Sequence, residues 1–488
     1  MNLQVEIKDI GAILPILFVF GFSLVVLVVD LLLDEAHKHW NAILSLLGLT
    51  SALVAIWLLR DFRVFAFGGL YQMDHFTNFF NALFCLIGGA TVLGSYNYLK
   101  IENINRSEFY VLLLMSIVGM MIMAGAGDYM VLFLGIETMS IPVYILAGFR
   151  KKRAESMESA LKYFLVGAFA AGFLLYGMAM IYGVTGTTSI VETSKTGDTA
   201  SLLLLGGIGL IIVGLGFKVS AVPFHMWTPD VYQGAPTPIT GFMAVAVKAA
   251  GFSVIVRVLM TAFPDSTLMA HWREILWVLS VATMTVGNIV ALAQTNIKRM
   301  LAYSSIAHAG YLLIGVVSAN SESLTGIFYY LMAYTVMNLG AFGCIVLTAW
   351  RGVEGDELKD FQGVGFEKPV MGMFLSVFLL SLAGIPPTAG FVGKFYIFAG
   401  AVKAGYYLLA VIGVLNAVVA AYYYLRVLVV MYMKPLEKEI PPEDRSIFAR
   451  GPFLALTLTV CMVLTLVAGI WPFWFYAIAW KASQIFYL

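Results

Sequence analysis

Fourteen stretches of about 20 predominantly apolar residues follow one another along this chain, at about 11–33, 41–59, 76–98, 109–126, 129–149, 159–183, 202–226, 236–261, 275–294, 299–318, 324–349, 370–402, 405–432 and 452–480. Each is long enough to cross the hydrocarbon core of a bilayer as a helix, and too long for a barrel strand. In hydrocarbon every backbone donor and acceptor must be satisfied internally, which a helix does alone. The expected fold is therefore an all-α polytopic membrane protein with about 14 transmembrane helices, here numbered as segments 1 to 14. Little chain is left for a soluble domain: 61% of residues are hydrophobic and 12% charged, against about 25% charged in soluble domains. Segment 1 is too long for a secretory signal and is expected to remain as a membrane helix. The formal net charge of +1 gives no reason to expect a nucleic-acid partner.

Lysine and arginine set the expected orientation. Of the 29 in the chain, 16 fall in loops that follow odd-numbered segments, from Lys38 to Lys434, Lys438, Arg445 and Arg450; 7 lie in the termini and the other loops. The cluster Arg150-Lys151-Lys152-Arg153 is thus expected on the cytoplasmic side and both termini on the periplasmic side. Trp40, Trp227, Trp272, Trp350 and Trp480 fall near segment ends, where an aromatic belt would put them.

Two segments do not read as unbroken helices. Segment 7 carries Gly214-Leu215-Gly216-Phe217-Lys218-Val219-Ser220-Ala221-Val222-Pro223-Phe224-His225. Proline removes a backbone donor and breaks a helix, and a broken membrane helix survives only where the freed groups face protein or water. Segment 12 would be about 50 Å long if straight, and it contains Gly384-Ile385-Pro386-Pro387-Thr388-Ala389-Gly390. The two breaks are five segments apart, and an odd offset reverses direction across the membrane. That placement predicts two inverted five-helix repeats, helices 4–8 and 9–13, with discontinuous helices 7 and 12. The echo between Gly216-Phe217-Lys218 and Gly393-Lys394-Phe395 is weak. Four parts are expected: 1–108 (helices 1–3), 109–262 and 263–433 (the repeats), and 434–488 (a loop and helix 14).

Six of the cations lie inside segments: Lys162, Lys218, Lys248, Arg257, Lys394 and Arg426. A charged side chain at mid-membrane costs about 2.5–3.5 kcal/mol on insertion scales, so it is read first as functional. Glu137 is the one carboxylate placed at mid-depth, and an expected ion pair with Lys218 would make both tolerable. Breaking that pair would let Lys218 pass a proton toward Lys248, at the centre of segment 8; a static pair pinning segments 5 and 7 is the plainer reading. A desolvated lysine readily changes its proton affinity, which suits a relay. Lys394 follows the second break and is expected in the second half-path. His308, near the middle of segment 10, is the expected mate of Glu137 and a second relay candidate. His225 just beyond the first break and Lys162 near the start of segment 6 complete the candidate proton-transfer set, although Lys162 could equally snorkel to the surface. Arg257 and Arg426 read as structural partners, because arginine hardly deprotonates. Cys85, Cys344 and Cys461 have neither metal-ligand nor disulfide spacing. No phosphate-binding loop, dinucleotide fingerprint, iron–sulfur pattern or haem pair occurs in the sequence.

Two long runs carry a resemblance. Lys218 to Pro238, with Trp227-Thr228-Pro229-Asp230-Val231-Tyr232-Gln233-Gly234-Ala235-Pro236, and Gln294 to Tyr311, with Lys298-Arg299-Met300-Leu301-Ala302-Tyr303-Ser304-Ser305-Ile306-Ala307-His308, resemble the proton-translocating antiporter-like subunits of respiratory complex I. The Asp230-to-Pro236 wording and Leu161-Lys162-Tyr163-Phe164 look like the subunit N branch of that family. The resemblance implies a fourteen-helix membrane-arm subunit of a bacterial inner-membrane NADH–quinone oxidoreductase, with Glu137 and Lys218 as a pair, Lys248 as central relay and Lys394 as the helix 12 relay. It implies no cofactor in this chain; NAD, FMN, iron–sulfur clusters and quinone would belong to partner subunits. Subunit M and small subunits such as K and J are the implied neighbours, with the lipid bilayer around them and protons as cargo. A secondary cation/proton antiporter of the Mrp type shares the fold and is the alternative function. A related complex fed by ferredoxin, or a purely structural scaffold, are further readings.

Overall fold

The computed structural model describes residues 6–34, 37–195, 201–348, 355–436, 446 and 451–487. Trp350, Lys438, Arg445 and Arg450 lie outside the described residues. In chain order the helices are α1 (Ile7–Asp30), α2 (His39–Leu58), α3 (His75–Ile101), α4 (Ser107–Gly125), α5 (Tyr129–Ala147), α6 (Ala154–Thr185), α7 (Ile190–Thr193), α8 (Leu202–Val219), α9 (Trp227–Gly234) and α10 (Thr237–Phe242). A π-helical turn, Met243–Val247, joins α10 to α11 (Lys248–Ala262). Then come α12 (Ser266–Leu292), α13 (Ile297–Ser318), α14 (Ser321–Thr348), α15 (Val364–Glu367), α16 (Pro369–Ala383), α17 (Ala389–Lys403), α18 (Tyr407–Met433), α19 (Pro452–Ile470) and α20 (Phe473–Ser483). A small antiparallel hairpin, β1 (Val64–Ala66) and β2 (Tyr71–Met73), precedes α3.

Among the described residues, 13 helical stretches are long and apolar enough to cross a membrane, Thr237–Ala262 counting as one. They match the expected segments one for one except segment 12, which is split into α16 and α17. The apolar stretch of Thr237–Ala262 is wholly buried and that of α13 nearly so, whereas α1, α6, α12, α18 and α19 each bury less than half of theirs. The candidate lysine of segment 8 and the histidine of segment 10 therefore sit on the two central helices.

Both expected breaks are present, and both are built alike. α8 ends at Ser220, in the left-handed region at φ 62°, with the Ala221 N–H donating to Gly216 O at 2.8 Å. α16 ends at Gly384, φ 88°, with the Ile385 N–H donating to Leu380 O at 3.0 Å. This is the hydrogen bond across the last turn by which a left-handed cap closes a helix. Counting from these caps, Lys218 is equivalent to Leu382, and Lys394 to Asp230. The Gly-Phe-Lys and Gly-Lys-Phe echo is therefore not an equivalence: Lys218 stands before its break and Lys394 after it. The connections upstream match as well. Tyr129 N–H donates to Thr188 O and Ile190 N–H to Gly127 O; Ile297 N–H donates to Asp356 O and Leu358 N–H to Thr295 O, at corresponding positions. From the caps Asp128 of α5 and Asn296 of α13, Glu137 corresponds to Ser305, and His308 to Ser140, so His308 is not the mate of Glu137.

The aromatic-belt expectation fails for two tryptophans. Trp227 is 4% exposed, stacks on Tyr163 at 4.3 Å and donates its Nε1–H to Phe217 O; Trp272 is fully buried and donates to Phe263 O. Indoles at segment ends here cap broken or terminating helices from inside, while Trp40 and Trp480 remain half exposed. The two span arginines are structural, as expected. Arg257 holds Asp74, Gln72 and Thr77 at the hairpin, and Arg426 donates to Leu292 O, the last carbonyl of α12, and to Gln294 O just beyond it.

Tight packing makes one glycine a test of this arrangement. A Cβ on Gly119 of α4 would lie 2.2 Å from the Met139 backbone nitrogen of α5, whereas one on Gly172 of α6 meets nothing within 4 Å. Gly119→Val is expected to destabilise the fold by about 1–3 kcal/mol, the usual cost of overpacking, and Gly172→Val to leave it unchanged. Thermal unfolding in detergent checks the pair.

Candidate functional site

The candidate residues fall into three places. The first is the end of α8. Lys218 is 2% exposed. Its Nζ donates to Ser140 Oγ at 2.7 Å and to Tyr144 Oη at 3.3 Å, both on α5, and lies 5.6 Å from the Tyr144 ring centroid. Segments 5 and 7 do meet, but Glu137 is not the partner. Glu137 is one turn before Ser140 and next to the exposed stripe Leu134, Ile141 and Ile145, and its Oε1 is buried with no hydrogen-bond partner. The physical reason is angular. On a helix, residues three and four apart are neighbours but not superposed, so the lysine that reaches Ser140 and Tyr144 leaves Glu137 turned toward the outer edge of α5. His225 lies in the connection after the break, half-buried, with Nδ1 buried and unpartnered.

The second place is the centre of the bundle. Lys248 opens α11 directly after the π turn and is 1% exposed. It donates to Ser305 O and, at 2.5 Å, to Ser305 Oγ on α13. His308, one turn further along α13, is fully buried. Its Nδ1 hydrogen-bonds the Tyr330 hydroxyl, and its Nε2 lies 3.0 Å from the Tyr424 hydroxyl, which also pairs with Ser304. Lys394, on α17, donates to Leu382 O at 2.8 Å and Ala383 O at 3.1 Å, the last carbonyls of α16. These are carbonyls that the break leaves without helical donors, and the negative end of a helix favours a cation. Tyrosine rings connect the members. Tyr334 is 5.6 Å from Lys248 Nζ and 5.1 Å from the His308 ring; Tyr311 is 5.6 Å from that ring and 4.9 Å from Lys394 Nζ.

Among the described residues, no hydrogen bond joins the Lys218 group to the Lys248 group. Backbones meet instead: Gly251, one turn after Lys248, lies against Val219 and Lys218, where a Cβ would stand 2.7 Å from Val219 Cγ1. None of Lys218, Lys248 and Lys394 makes an ion pair with a described residue, so each of these ammonium groups is held only by hydroxyls, carbonyls and ring faces.

The third place is a charged pocket of about 440 Å³ at one end of the bundle, and Lys162 belongs there rather than to the buried row. Its Nζ lies 2.6 Å from both Glu158 and Asp230, and its side chain is 43% exposed. Arg299 of α13 donates to the other Asp230 oxygen at 2.6 Å and to Gln233 at 3.2 Å. Asp230 thus ties α6 to α13. Burial acts to raise its proton affinity, but the hydrogen bonds from Lys162 and Arg299 outweigh it and hold the carboxyl below its usual range.

Sequence reasoning left Ser140, Tyr144, Ser305, Tyr330, Tyr334 and Tyr424 without roles. The spacing Ser304, Ser305, His308 and Tyr311 on one helix face was the available signal; Tyr330 and Tyr424 come from distant helices and gave none.

Asp230 generates a prediction whose sign follows from its low proton affinity. A carboxylate held low in the fold contributes stability above its unfolded value and loses it as pH falls through its folded value. Asp230→Asn is expected to lower stability by about 1 kcal/mol at neutral pH, the scale of a half-exposed pair. The difference should persist to about pH 5 and close toward about pH 3, which melting curves across that range read directly.

The family described as NADH:quinone oxidoreductase/Mrp antiporter, TM, matches residues 126–420. A protein of Trichlorobacter lovleyi called NADH-quinone oxidoreductase subunit N is 47% identical over 470 residues, covering 95% of each chain. A chain of the solved respiratory complex I from Thermus thermophilus with bound aureothin is 34% identical, with TM-score 0.80, covering 95% of this chain and 98% of that one. A chain of the Mrp complex from a Dietzia species shares the fold, with TM-score 0.83 at 18% identity over 99% of this chain and 98% of that one.

Proposed function

The chain belongs to the family of NADH:quinone oxidoreductase/Mrp antiporter membrane subunits, on its subunit N branch, and from that premise we propose how its buried residues serve a proton-translocating NADH:quinone oxidoreductase. The chain is a membrane-arm subunit that moves protons, driven by quinone reduction in partner subunits. Electron transfer, with its NAD, FMN, iron–sulfur clusters and quinone, is assigned to those partners. The observation that carries the reading is the set of three buried lysines held without carboxylates, with His308 between Lys248 and Lys394.

A group that gains or loses a proton without breaking a salt bridge suits a relay. Lys218 exchanges a proton beside Ser140 and Tyr144. Lys248 bonds Ser305, His308 bonds Tyr330 and Tyr424, and the Tyr334 ring lies beside both Lys248 and His308; the proton crosses from one group to the other, and the imidazole can accept at one nitrogen and donate from the other. Lys394 continues the path at the second break. Glu137, half-buried with one orphaned oxygen, acts on the outer side of Lys218, and His225 and Lys162 act nearer the ends of the path. The gap between Lys218 and Lys248 spans about one helical turn along α11, where Gly251 packs on Val219. The matching caps and loop pairings support two inverted repeats, 109–262 and 263–433, flanked by 1–108 and 434–488. The excess of cations after odd-numbered spans supports periplasmic termini in a bacterial inner membrane. Subunits M, K and J are the proposed neighbours. An Mrp-type antiporter is disfavoured, since identity is 18% to the Mrp chain and 47% to a subunit N.

The test is NADH-driven proton uptake in inverted vesicles, with assembly and artificial-acceptor NADH oxidation measured alongside. Lys218→Ala and Lys248→Ala are each expected to leave assembly intact and to lower pumping and quinone-linked turnover together by at least about tenfold, as loss of a proton-transfer group does. Unchanged pumping in both would make the lysines structural. Glu137→Gln is expected to reduce pumping too; normal pumping there would remove Glu137 from the path.

A further inference from the structure

We infer that the cleft between α1, α4 and α5 is a binding site for one anionic phospholipid. The cleft has a volume of about 730 Å³, within the range of ligand sites. Its two loops, 102–106 and 148–153, both follow odd-numbered spans, so they lie on the same membrane face. They begin where α3 and α5 end, at the depth where headgroups sit.

The rim is basic. Arg106, Arg150, Lys151, Lys152 and Arg153 line it, against Glu102 and Glu108. Arg153 is offset by Glu102 at 3.5 Å, and Arg150 is buried, donating to Gly234 O at 3.3 Å. Arg106, Lys151 and Lys152 are exposed and oppose the single carboxylate Glu108. Basic pockets between membrane helices at a cytoplasmic-type rim suit phosphate headgroups.

The inner wall is apolar and runs toward mid-membrane. Leu27 of α1 is 45% exposed and Ile145 of α5 is 48% exposed; both line the cleft. Below them Leu24 on α1 and Ile141 and Leu134 on α5 continue the exposed stripes. A cationic rim above an apolar channel matches an amphiphile with an anionic head and acyl chains. A free phosphate would leave the channel unused, and a neutral lipid would leave the cations uncompensated. The same α5 stripe borders Glu137, so the acyl chains would form part of the wall beside that carboxylate. The proposal holds whether or not the lysines pump.

The experiment uses the assembled complex in nanodiscs of phosphatidylcholine containing a minor fraction of phosphatidylglycerol with a photoactivatable acyl chain. In the native protein the label is expected on α1 and α5, displaced by unlabelled phosphatidylglycerol and not by inorganic phosphate. The triple variant R106Q/K151Q/K152Q should lose the label at least about tenfold, since each cation near an anionic surface contributes about fivefold. Lys359→Gln, an exposed cation in another loop after an odd-numbered segment, should not change it. Equal labelling of the triple variant, equal labelling by the phosphatidylcholine analogue, competition by inorganic phosphate, or protection of the cleft by a neighbouring polypeptide would each overturn the proposal. The competition arms need no variant, so a triple variant that fails to assemble does not leave the question open.

Discussion

A helix that stops inside hydrocarbon leaves its last carbonyls without donors, and no water is there to serve them. This chain stops twice, after Val219 and after Ala383. The left-handed caps at Ser220 and Gly384 close part of each deficit through backbone bonds. The remainder at the second break is closed by Lys394, whose ammonium reaches the carbonyls of Leu382 and Ala383 from the far side of the gap. A side chain that is costly to bury is thus retained where the backbone needs a donor. The break makes the lysine tolerable, and the lysine makes the break tolerable.

The first break solves the same problem differently. Its lysine sits before the cap and turns to hydroxyls of the neighbouring α5, while Trp227 donates its indole N–H to Phe217 O and Thr228 bonds the Ser220 hydroxyl. Two breaks with one backbone geometry therefore place their ammonium groups on opposite sides. The lysines end up facing different neighbours: Ser140 and Tyr144 in one case, the ring of Tyr311 in the other. Tyrosine is well suited to the space between them, since its ring fills apolar volume while its hydroxyl can both donate and accept.

The spans, both breaks and the three mid-span lysines were legible in the sequence, because each is a conflict between apolar surroundings and a residue that does not belong there; Arg150, Lys298 and Lys368, buried at segment ends, were not. Lys218, Lys248 and Lys394 announce themselves in this way. What was not legible is rotation. Whether Lys218 faces Glu137 or Ser140 depends on a fraction of a turn between two packed helices, and apolar patterning is weak when most faces of a helix are buried. The expectation that His308 is the repeat counterpart of Glu137 has the same origin, since both lie near mid-segment and the register is read only from the caps at Asp128 and Asn296. Trp227 and Trp272 show the limit of position along the chain as a guide to depth: both lie near segment ends, yet both are interior. The pocket around Asp230 was hidden because its members come from three separate helices.

The π turn at Met243–Val247 has a consequence for how this family of chains can vary. Such a turn accommodates one residue more than the α-helical turn it replaces. A single-residue deletion within it would restore ordinary helix and swing everything beyond it by about 100°, one residue's share of an α-helical turn. Lys248, the next residue, would then point away from Ser305. The aim of the central lysine is set by chain length rather than by any side chain, so insertions and deletions, more than substitutions, are the changes by which evolution could switch it on or off.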